Sequence, residues 1–339
     1  MARIGSFTCS GSRLLVECLF LFCFLMAADV CADDLSVTQS KQQISVVSGE
    51  KPIIQYNIQS PAVPTGIDAA YRRSGFLHPV RSPLGRIVTD TFPADHPHQH
   101  GIFFAWVKTK YDGTPVDFWN IAQASGRVLH KRVVSTFEGS DAAGFEVELV
   151  HRREKTTDSA AVDVLSEHWR VTVHVTDGAF HSFDIESHQR ALTDKPLVIE
   201  KYHYGGMALR GPTRWLTAGD SFAKTNPSLT REESSFLNDK RSDRKKGNHE
   251  HAKWVALTGL TDGKPVTISV LCHANNFRAS QAARLHPSKP YFCFAPCVDG
   301  EFVIDRDHPL VSKYRYLVTD KQPDPTWLDA QWDIWCGGR

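Results

Sequence analysis

Histidine is concentrated in one short segment of the chain, Asp95-His-Pro-His-Gln-His-Gly101. His96, His98 and His100 occupy every second position, and Pro97 fixes its own φ angle and restrains the residue before it. Because alternate side chains of an extended backbone project from one face, the pattern predicts three convergent imidazoles. Imidazole transfers protons near neutral pH and is a common metal ligand. The segment is therefore the first candidate for a functional site.

Aromatic residues follow the histidines closely in the sequence. Phe104 and Trp106 lie in the next apolar run, and Trp119 ends the segment Val116-Asp-Phe-Trp119. Flat aromatic side chains form the walls of many sugar-binding and other small-molecule pockets. Taken singly, such residues are more often part of a core. Their short connection to the histidines favours a role for Trp106 and Trp119 in substrate binding.

Two later segments place polar side chains where a predicted strand ends. Tyr202-His-Tyr-Gly-Gly206 puts a histidine before two flexible glycines, and Cys272-His-Ala-Asn-Asn-Phe-Arg278 combines His, Asn and Arg at a strand exit. A lone histidine in such a position is usually structural, whereas the combination favours a site for a polar ligand. The residues concerned are His203, Arg210, His273, Asn276 and Arg278, and a possible acid/base pair is formed by Glu186 and His188.

Short alternating runs must position these groups. Apolar and polar residues alternate through most of the chain, with turn sequences such as Thr261-Asp-Gly-Lys264 between the runs, which is typical of stacked antiparallel sheets. The pattern predicts an all-β fold, a large antiparallel β-sandwich with little helix. The predicted strands are Arg127–Phe137, Gly144–His151, His168–Val175, Phe180–Glu186, Lys253–Gly259, Pro265–His273, Tyr291–Val298 and Ser312–Val318.

Two segments depart from the strand pattern. Pro325–Trp335 is the best helix candidate, since Trp327, Leu328, Gln331 and Trp335 can share one face. The polar run from Thr230 to His251 is predicted to be a long exposed loop.

The start of the chain has the three-part layout of a secretory signal. Arg3 and Arg13 precede an apolar run from Cys18 to Ala28, and small residues at Val30-Cys31-Ala32 suit a signal peptidase. We expect residues 1–32 to be a signal peptide and residues 33–339 to be a single β-sandwich domain. The protein is then exported, to the periplasm or the extracellular medium, with no membrane span after signal removal.

Charge and cysteine content narrow the classes of partner. The formal net charge is +1, so no strong field favours nucleic acid or an anionic membrane, and a small-molecule or glycan substrate is expected. Four cysteines follow the signal, and an even number in an oxidising compartment predicts one or two disulfides. The natural pair joins Cys272 to Cys293 or Cys297, and the connectivity that includes Cys336 stays open.

Six ordered motifs resemble those of a bacterial family labelled PmoA, or methane oxygenase. In the motif that corresponds to Asp95–Gly101, members of that family typically have histidine and then arginine after the second histidine. This chain has Gln99 and His100 at those two positions. The motifs are Ser74–Val80, Asp95–Gly101, Val116–Trp119, Tyr204–Arg210, His249–Trp254 and His273–Arg278, and they cover most of the chain after the signal. The resemblance implies site positions at His96, His98, Asp117, Trp119, Arg210, His273, Asn276 and Arg278.

A membrane subunit of methane monooxygenase needs several long apolar helices, and the sequence after residue 33 contains no such stretch. The resembling family is closer to β-sandwiches of the aldose mutarotase type, which use histidine and carboxylate pairs on a broad sheet. That analogy implies a supersandwich-like fold and a sugar substrate.

Three functions remain open from the sequence. The first is a carbohydrate-active epimerase, lyase or hydrolase, with His98, His96, His273 and Arg278 as catalytic residues and with Trp106, Asp117, Trp119, His203, Arg210 and Asn276 binding the substrate. The second is a metal-dependent enzyme in which His96, His98 and His100 hold a divalent transition metal. The third is a carbohydrate-binding protein without catalysis.

Overall fold

Antiparallel sheets dominate the secondary structure of the described residues, as the alternating pattern predicts. The computed structural model describes residues 1, 5 and 34–337, so the predicted signal peptide, residues 1–32, lies outside the described residues apart from those two positions. The first sheet has eight strands in the order β1-β2-β3-β4-β5-β13-β18-β17. Its strands are β1 Leu35–Gln39, β2 Gln43–Ser48, β3 Lys51–Asn57, β4 Phe76–Val80, β5 Ile102–Ala105, β13 Gly206–Arg210, β17 Ala283–Leu285 and β18 Tyr291–Phe294.

The second sheet also has eight strands, and a smaller third sheet has four. Their orders are β14-β15-β16-β20-β11-β10-β9-β8 and β19-β12-β6-β7. The second sheet contains β8 Gly126–Glu138, β9 Ala142–Arg153, β10 Val162–His174, β11 Phe180–Ala191, β14 Ser234–Asn238, β15 Trp254–Thr261, β16 Lys264–Cys272 and β20 Leu310–Thr319. The third contains β6 Thr109–Tyr111, β7 Thr114–Val116, β12 Leu197–Ile199 and β19 Phe302–Ile304.

Aromatic side chains pack the first sheet against the second. The rings of Phe294 and Tyr314 stack with centroids 5.6 Å apart, and those of Phe292 and Phe236 meet edge to face at 5.9 Å. Because alternate residues of a strand point to opposite faces, Phe292 and Phe294 fix the inner face of β18. Its other face points away from the second sheet, and there the pocket described below is found.

A buried polar network joins the two sheets. The Glu167 carboxylate accepts hydrogen bonds from His151 Nε2 at 2.7 Å, Trp169 Nε1 at 2.6 Å and Ser187 Oγ at 2.6 Å. Gln189 also donates to it, at 3.1 Å, and accepts from Trp106 Nε1 at 2.8 Å. Since Trp106 directly follows β5 of the first sheet, the network fixes the two layers relative to each other.

The predicted helix Pro325–Trp335 is confirmed as α2, with the same bounds. Asp324 caps it by accepting from the backbone N–H groups of Thr326 and Trp327 at 3.0 and 3.1 Å. Leu328 packs on the outer face of the second sheet. The other α-helix of the described residues, α1 Ser221–Thr225, is a short turn, and none of the helices in this part of the chain is long and apolar enough to cross a bilayer.

Two boundary predictions are wrong. The predicted loop Thr230–His251 contains strand β14, which pairs with β15. The predicted strand Tyr291–Val298 ends at Phe294 and continues as a 3₁₀ turn from Pro296, because proline cannot donate to a strand ladder. The predicted turn Thr261–Lys264 does close the β15–β16 hairpin, with positive φ at Asp262 and Gly263.

The predicted disulfides are not formed, since Cys272, Cys293, Cys297 and Cys336 are all free thiols. Burial raises the pKa of the Cys272 thiol to about 12, that of Cys293 to about 11 and that of Cys297 to about 12. The thiolate is the reactive form, so these three side chains combine a high pKa with almost no exposure.

We therefore expect Cys336, which is partly exposed, to react with a maleimide well before the other three cysteines of the described chain. Peptide-resolved mass spectrometry after short labelling of the native protein measures this order. Labelling in denaturant serves as the control, since there all four must react. Early labelling of Cys293 in the native protein would contradict the buried placement.

Candidate functional site

The histidine segment folds into two successive tight turns rather than the predicted extended strand. The His96 N–H donates to the Pro93 carbonyl at 2.9 Å, and the Gln99 N–H donates to the His96 carbonyl at 2.9 Å. Pro97 occupies the second position of the latter turn, which its fixed φ angle suits. Gly101 then enters β5 with a φ of +50°, where a Cβ atom would clash with the Leu77 carbonyl oxygen. The three imidazoles therefore do not share one face.

His100 is turned into the interior. Its Nδ1 lies 2.9 Å from Thr91 Oγ1 and its Nε2 lies 3.1 Å from the Tyr71 carbonyl oxygen, so both ring nitrogens are occupied. The predicted metal set of His96, His98 and His100 is therefore not assembled. Within residues 34–337 no group of three or more His, Cys, Asp or Glu side chains is placed to hold a metal ion.

A buried ionic clamp holds the two turns in place. Arg210 donates to Asp95 Oδ2 and Oδ1 at 2.9 and 2.6 Å and to Gln99 Oε1 at 2.9 Å. Lys289 Nζ lies 3.2 Å from Asp95 Oδ2 and 2.9 Å from Asp220 Oδ2. Burial alone would raise the pKa of Asp95, but His96, Arg210 and Lys289 outweigh it and hold that pKa far below its usual range. Arg210, predicted to bind substrate, is a positioning residue.

His96 and His98 lie on the open side of this clamp. Their ring centroids are 5.3 Å apart. His96 Nδ1 lies 3.3 Å from Asp95 Oδ2, within ion-pair distance but without hydrogen-bond geometry. His98 makes no hydrogen bond through its ring within residues 34–337, so both of its ring nitrogens are free for a ligand.

The histidines face a small pocket on the side of the first sheet that points away from the second sheet. Its volume is about 140 Å³, the space of about five water molecules in the liquid, which suits one ring-sized group. Loops before β5, β8 and β13 and the β17–β18 connection contribute its walls. The lining residues are His96, His98, Gln99, Trp119, Asn120, His203, Tyr204, Arg284, His286 and Tyr291.

Trp119 forms the base of this pocket. Its ring packs on Phe103 at 4.7 Å, on Tyr204 at 5.2 Å and on Tyr291 at 5.7 Å between centroids. The side chain is fully buried, yet its Nε1–H has no hydrogen-bond partner in the described part of the chain. Buried donors are nearly always paired with protein or with ordered water, so a water molecule or a ligand is the expected partner of this N–H.

His286 adds a third imidazole with a defined tautomer. Its Nδ1 accepts the backbone N–H groups of Ser288 and Lys289 at 3.2 and 3.1 Å. The proton of the neutral ring must then be on Nε2, which has no partner within residues 34–337. The ring centroid lies 6.2 Å from that of His96.

Burial and neighbouring cations keep two of the pocket imidazoles neutral. Desolvation, together with His96, Arg210 and Arg73, lowers the pKa of His98 to about 3. Desolvation, with Arg284 and Lys289, lowers the pKa of His286 to about 3. Burial also raises the pKa of Tyr204 to about 12. At neutral pH the pocket therefore presents uncharged imidazole and phenol groups beside one guanidinium.

Several predicted site residues lie outside this pocket. Trp106 is buried in the interlayer network. Asp117 turns away to accept from the backbone N–H groups of Trp119 and Asn120, both at 2.8 Å, and from Asn120 Nδ2 at 2.7 Å. It therefore shapes the loop that carries two lining residues. The predicted pair Glu186–His188 lies on the outer face of the second sheet, joined by a hydrogen bond between His188 Nε2 and Glu186 Oε1.

The segment His273–Arg278 is a structural loop. Asn276 bonds the backbone N–H and C=O of Lys313 at 2.7 and 2.9 Å. Arg278 donates to the carbonyl groups of Pro296, Gly300 and Glu301, and the His273 ring rests on Trp335. None of the three predicted residues lines the pocket.

Sequence reasoning identified four lining residues, His96, His98, Trp119 and His203. It missed Arg284 and His286, which lie in the unremarkable segment Ala283-Arg-Leu-His286. The alternation of Arg284 with His286 across a short strand was the available signal, since alternate residues share a face. Tyr204 lay in a recognised motif but was not singled out.

Comparisons with known proteins identify the family. A solved chain named as a kojibiose phosphorylase from the human microbiome has 8% sequence identity and a TM-score of 0.32, over 90% of this chain and 33% of that one. The chain therefore spans about a third of that protein, and so low a similarity supports no statement about activity. No curated protein matches the sequence. Residues 43–333 match DUF6807, a family of unknown function, and since this range is most of the chain, the protein belongs to that family.

Proposed function

We propose that the pocket is the active site of a carbohydrate-active enzyme that transfers protons by means of histidines. The observation that carries the proposal is the convergence of His96, His98 and His286 on one small pocket, with the buried Asp95 carboxylate behind the first of them. Free ring nitrogens accept or donate a proton according to tautomer. This is the equipment of an epimerase, a lyase or a hydrolase that works by general acid–base catalysis.

The rest of the lining supports a sugar-like substrate. The amide groups of Gln99 and Asn120 and the hydroxyl of Tyr204 suit a ligand rich in hydroxyl groups, and the aromatic walls suit an apolar ring face. We also propose, from the N-terminal pattern, that the enzyme acts outside the cytoplasm.

His98 is assigned as the base. It is deprotonated at neutral pH, neither ring nitrogen has a hydrogen-bond partner within residues 34–337, and His96 lies beside it to share or return the proton. His286, with its proton on Nε2, is assigned as a hydrogen-bond donor to a substrate oxygen. The metal-dependent alternative is not favoured, because His100 is committed to Thr91 and Tyr71.

Replacing His98 by alanine is expected to lower turnover by a factor of about 10²–10⁴, the usual contribution of a general acid or base. The assay incubates mono- and disaccharides with the protein in D₂O and follows deuterium incorporation by mass spectrometry and the release of reducing ends. His188→Ala is the matched control, because His188 is an exposed histidine on the other sheet. Full activity in the His98 variant would contradict its role as base.

The pH profile gives an independent test. A base functions while deprotonated, that is, above its pKa, and the pKa of His98 is about 3. The rate should therefore not fall as the pH is lowered from 7 to 5. A loss of activity with a midpoint near the ordinary histidine value of about 6.5 would assign the proton transfer to another group. Saccharide binding with neither exchange nor hydrolysis would indicate a carbohydrate-binding protein instead.

A further inference from the structure

No free carboxylate of residues 34–337 lines the pocket. Its ten lining residues include neither Asp nor Glu, and the acidic side chains around it are all engaged elsewhere. Asp95 is bound by Arg210 and Lys289. Asp117 is occupied by the Trp119–Asn120 loop, and Asp220 accepts from Ser288 and Lys289 while it caps α1. The described part of the chain therefore presents no free negative charge to a ligand in the pocket.

Arg284 supplies a guanidinium that is only partly used. Its Nη1 donates to Asn248 Oδ1 at 2.9 Å and to the Leu285 carbonyl at 3.3 Å. Its Nε and Nη2 have no hydrogen-bond partner within residues 34–337. Arg284 also lines a second hollow next to the pocket, together with Arg244 and Lys245. Burial is the main cause that lowers the pKa of His203 and of His286, and the positive charge of Arg284 is the second cause in both cases.

The uncharged polar side chains at the base of the pocket mainly offer hydrogen-bond donors to a ligand. Trp119 has a fully buried, unpartnered Nε1–H. The one carbonyl oxygen of the Gln99 side chain accepts from Arg210, so this amide offers its Nε2–H₂ group. His286 offers Nε2–H, because its Nδ1 is already an acceptor for two backbone N–H groups. Donors arranged around a partly free guanidinium bind anionic oxygens.

We infer that the pocket binds an anionic group of its ligand, a carboxylate or a phosphate, between Arg284 and the N–H of Trp119. This inference rests on the proposed function and narrows it, since the substrate is then an acidic sugar rather than a neutral one. The donors of Gln99 and His286 complete the set. The shared chemistry is that of a small oxyanion, and the two sources are a sugar acid and a sugar phosphate.

Titration calorimetry with D-glucuronate, D-glucose 6-phosphate, inorganic phosphate and D-glucose tests this inference on the full chain. The acidic sugar of the correct type should bind at least about 10-fold more tightly than glucose, since hydrogen bonds between charged groups are stronger than those between neutral groups. Preference for glucuronate identifies a carboxylate site. Preference for glucose 6-phosphate, with competition by inorganic phosphate, identifies a phosphate site.

Two pocket variants and one control locate the binding group. Arg284→Gln should weaken binding of the preferred anion by at least about 10-fold. Trp119→Phe keeps the ring contacts but removes the N–H, and should weaken it too. Arg132→Gln removes an exposed arginine of β8, on the other sheet, and should leave binding unchanged. If Arg284→Gln does not fold, as judged by circular dichroism, the Trp119 variant decides alone.

The inference is overturned if glucose binds as tightly as both acids, if none of the four probes binds, or if the Arg132 variant loses as much affinity as the pocket variants. Its failure is distinct from failure of the proposed function. Anion binding without any proton exchange or hydrolysis would remove the function and keep the anion site. Turnover of neutral sugars without selectivity for acidic sugars would keep the proposed function and remove the anion site.

Discussion

Asp95→Asn is expected to lower the free energy of unfolding by about 3–5 kcal/mol, the usual cost of removing one partner of a buried ion pair. The side chains of Asp95 and Arg210 are both fully buried. Lys289 keeps its contact with Asp220, so the guanidinium of Arg210 is the charge left without a carboxylate. Denaturant unfolding at pH 7 measures the loss, and a change below about 1 kcal/mol would contradict the clamp.

The double variant Asp95→Asn/Arg210→Gln is the matched control. It removes both charges, so its destabilisation should be smaller than the sum of the two single effects. The single variant should also lose activity or ligand binding, because the turns that carry His96 and His98 depend on the clamp.

Acid should weaken the wild-type protein in the same way. The folded-state pKa of Asp95 is depressed, so its contribution to stability is complete above the unfolded value of about 3.9 and is lost as the pH falls towards the folded value. Unfolding curves between pH 7 and pH 3 should show stability declining below about pH 4. This decline should be less steep in the Asp95→Asn variant.

Glu167→Ala is the second variant with a large expected effect, again about 3–5 kcal/mol. Glu167 is fully buried and accepts from His151, Trp169 and Ser187, so truncation leaves several donors unpaired between the sheets. Glu167→Gln keeps an acceptor oxygen and the side-chain volume and should cost less. Denaturant unfolding of both variants gives the comparison. Equal stability of the alanine and glutamine variants would show that the network adds nothing beyond packing.

The two carboxylates should differ in their effect on function. Glu167 lies between the sheets and Asp95 lies under the pocket turns. At a temperature where both variants remain folded, Glu167→Gln should keep ligand affinity and Asp95→Asn should not.

The fold could be predicted from the sequence wherever the strands are long. Alternation along β9, β10, β11 and β20 is largely regular because each of these strands has one face in the core. The first sheet was harder to predict. Its strands β5 and β13 are short and buried on both faces, with patterns of uninterrupted buried residues, and such runs carry no period by which to identify them.

The site was only partly predictable for a related reason. His96 and His98 are dense enough in sequence to stand out, but the alternation that suggested one shared face with His100 is broken by the turn at Pro97. Arg210 was recognised as important, although its role could not be read without knowing that Asp95 faces it. Arg284 and His286 reach the pocket only through the pairing of β17 with β18, which is a long-range property of the sheet.

The separation of the Asp95–Arg210–Lys289 clamp from the pocket lining has a consequence for evolution and for engineering. The clamp and the core consist of buried side chains, whereas His203, at the rim of the pocket, is exposed. Proteins tolerate substitutions that keep them above their stability threshold. The rim can therefore change its preference among ligands at small thermodynamic cost, so members of one fold family can diverge in specificity while the clamp stays the same.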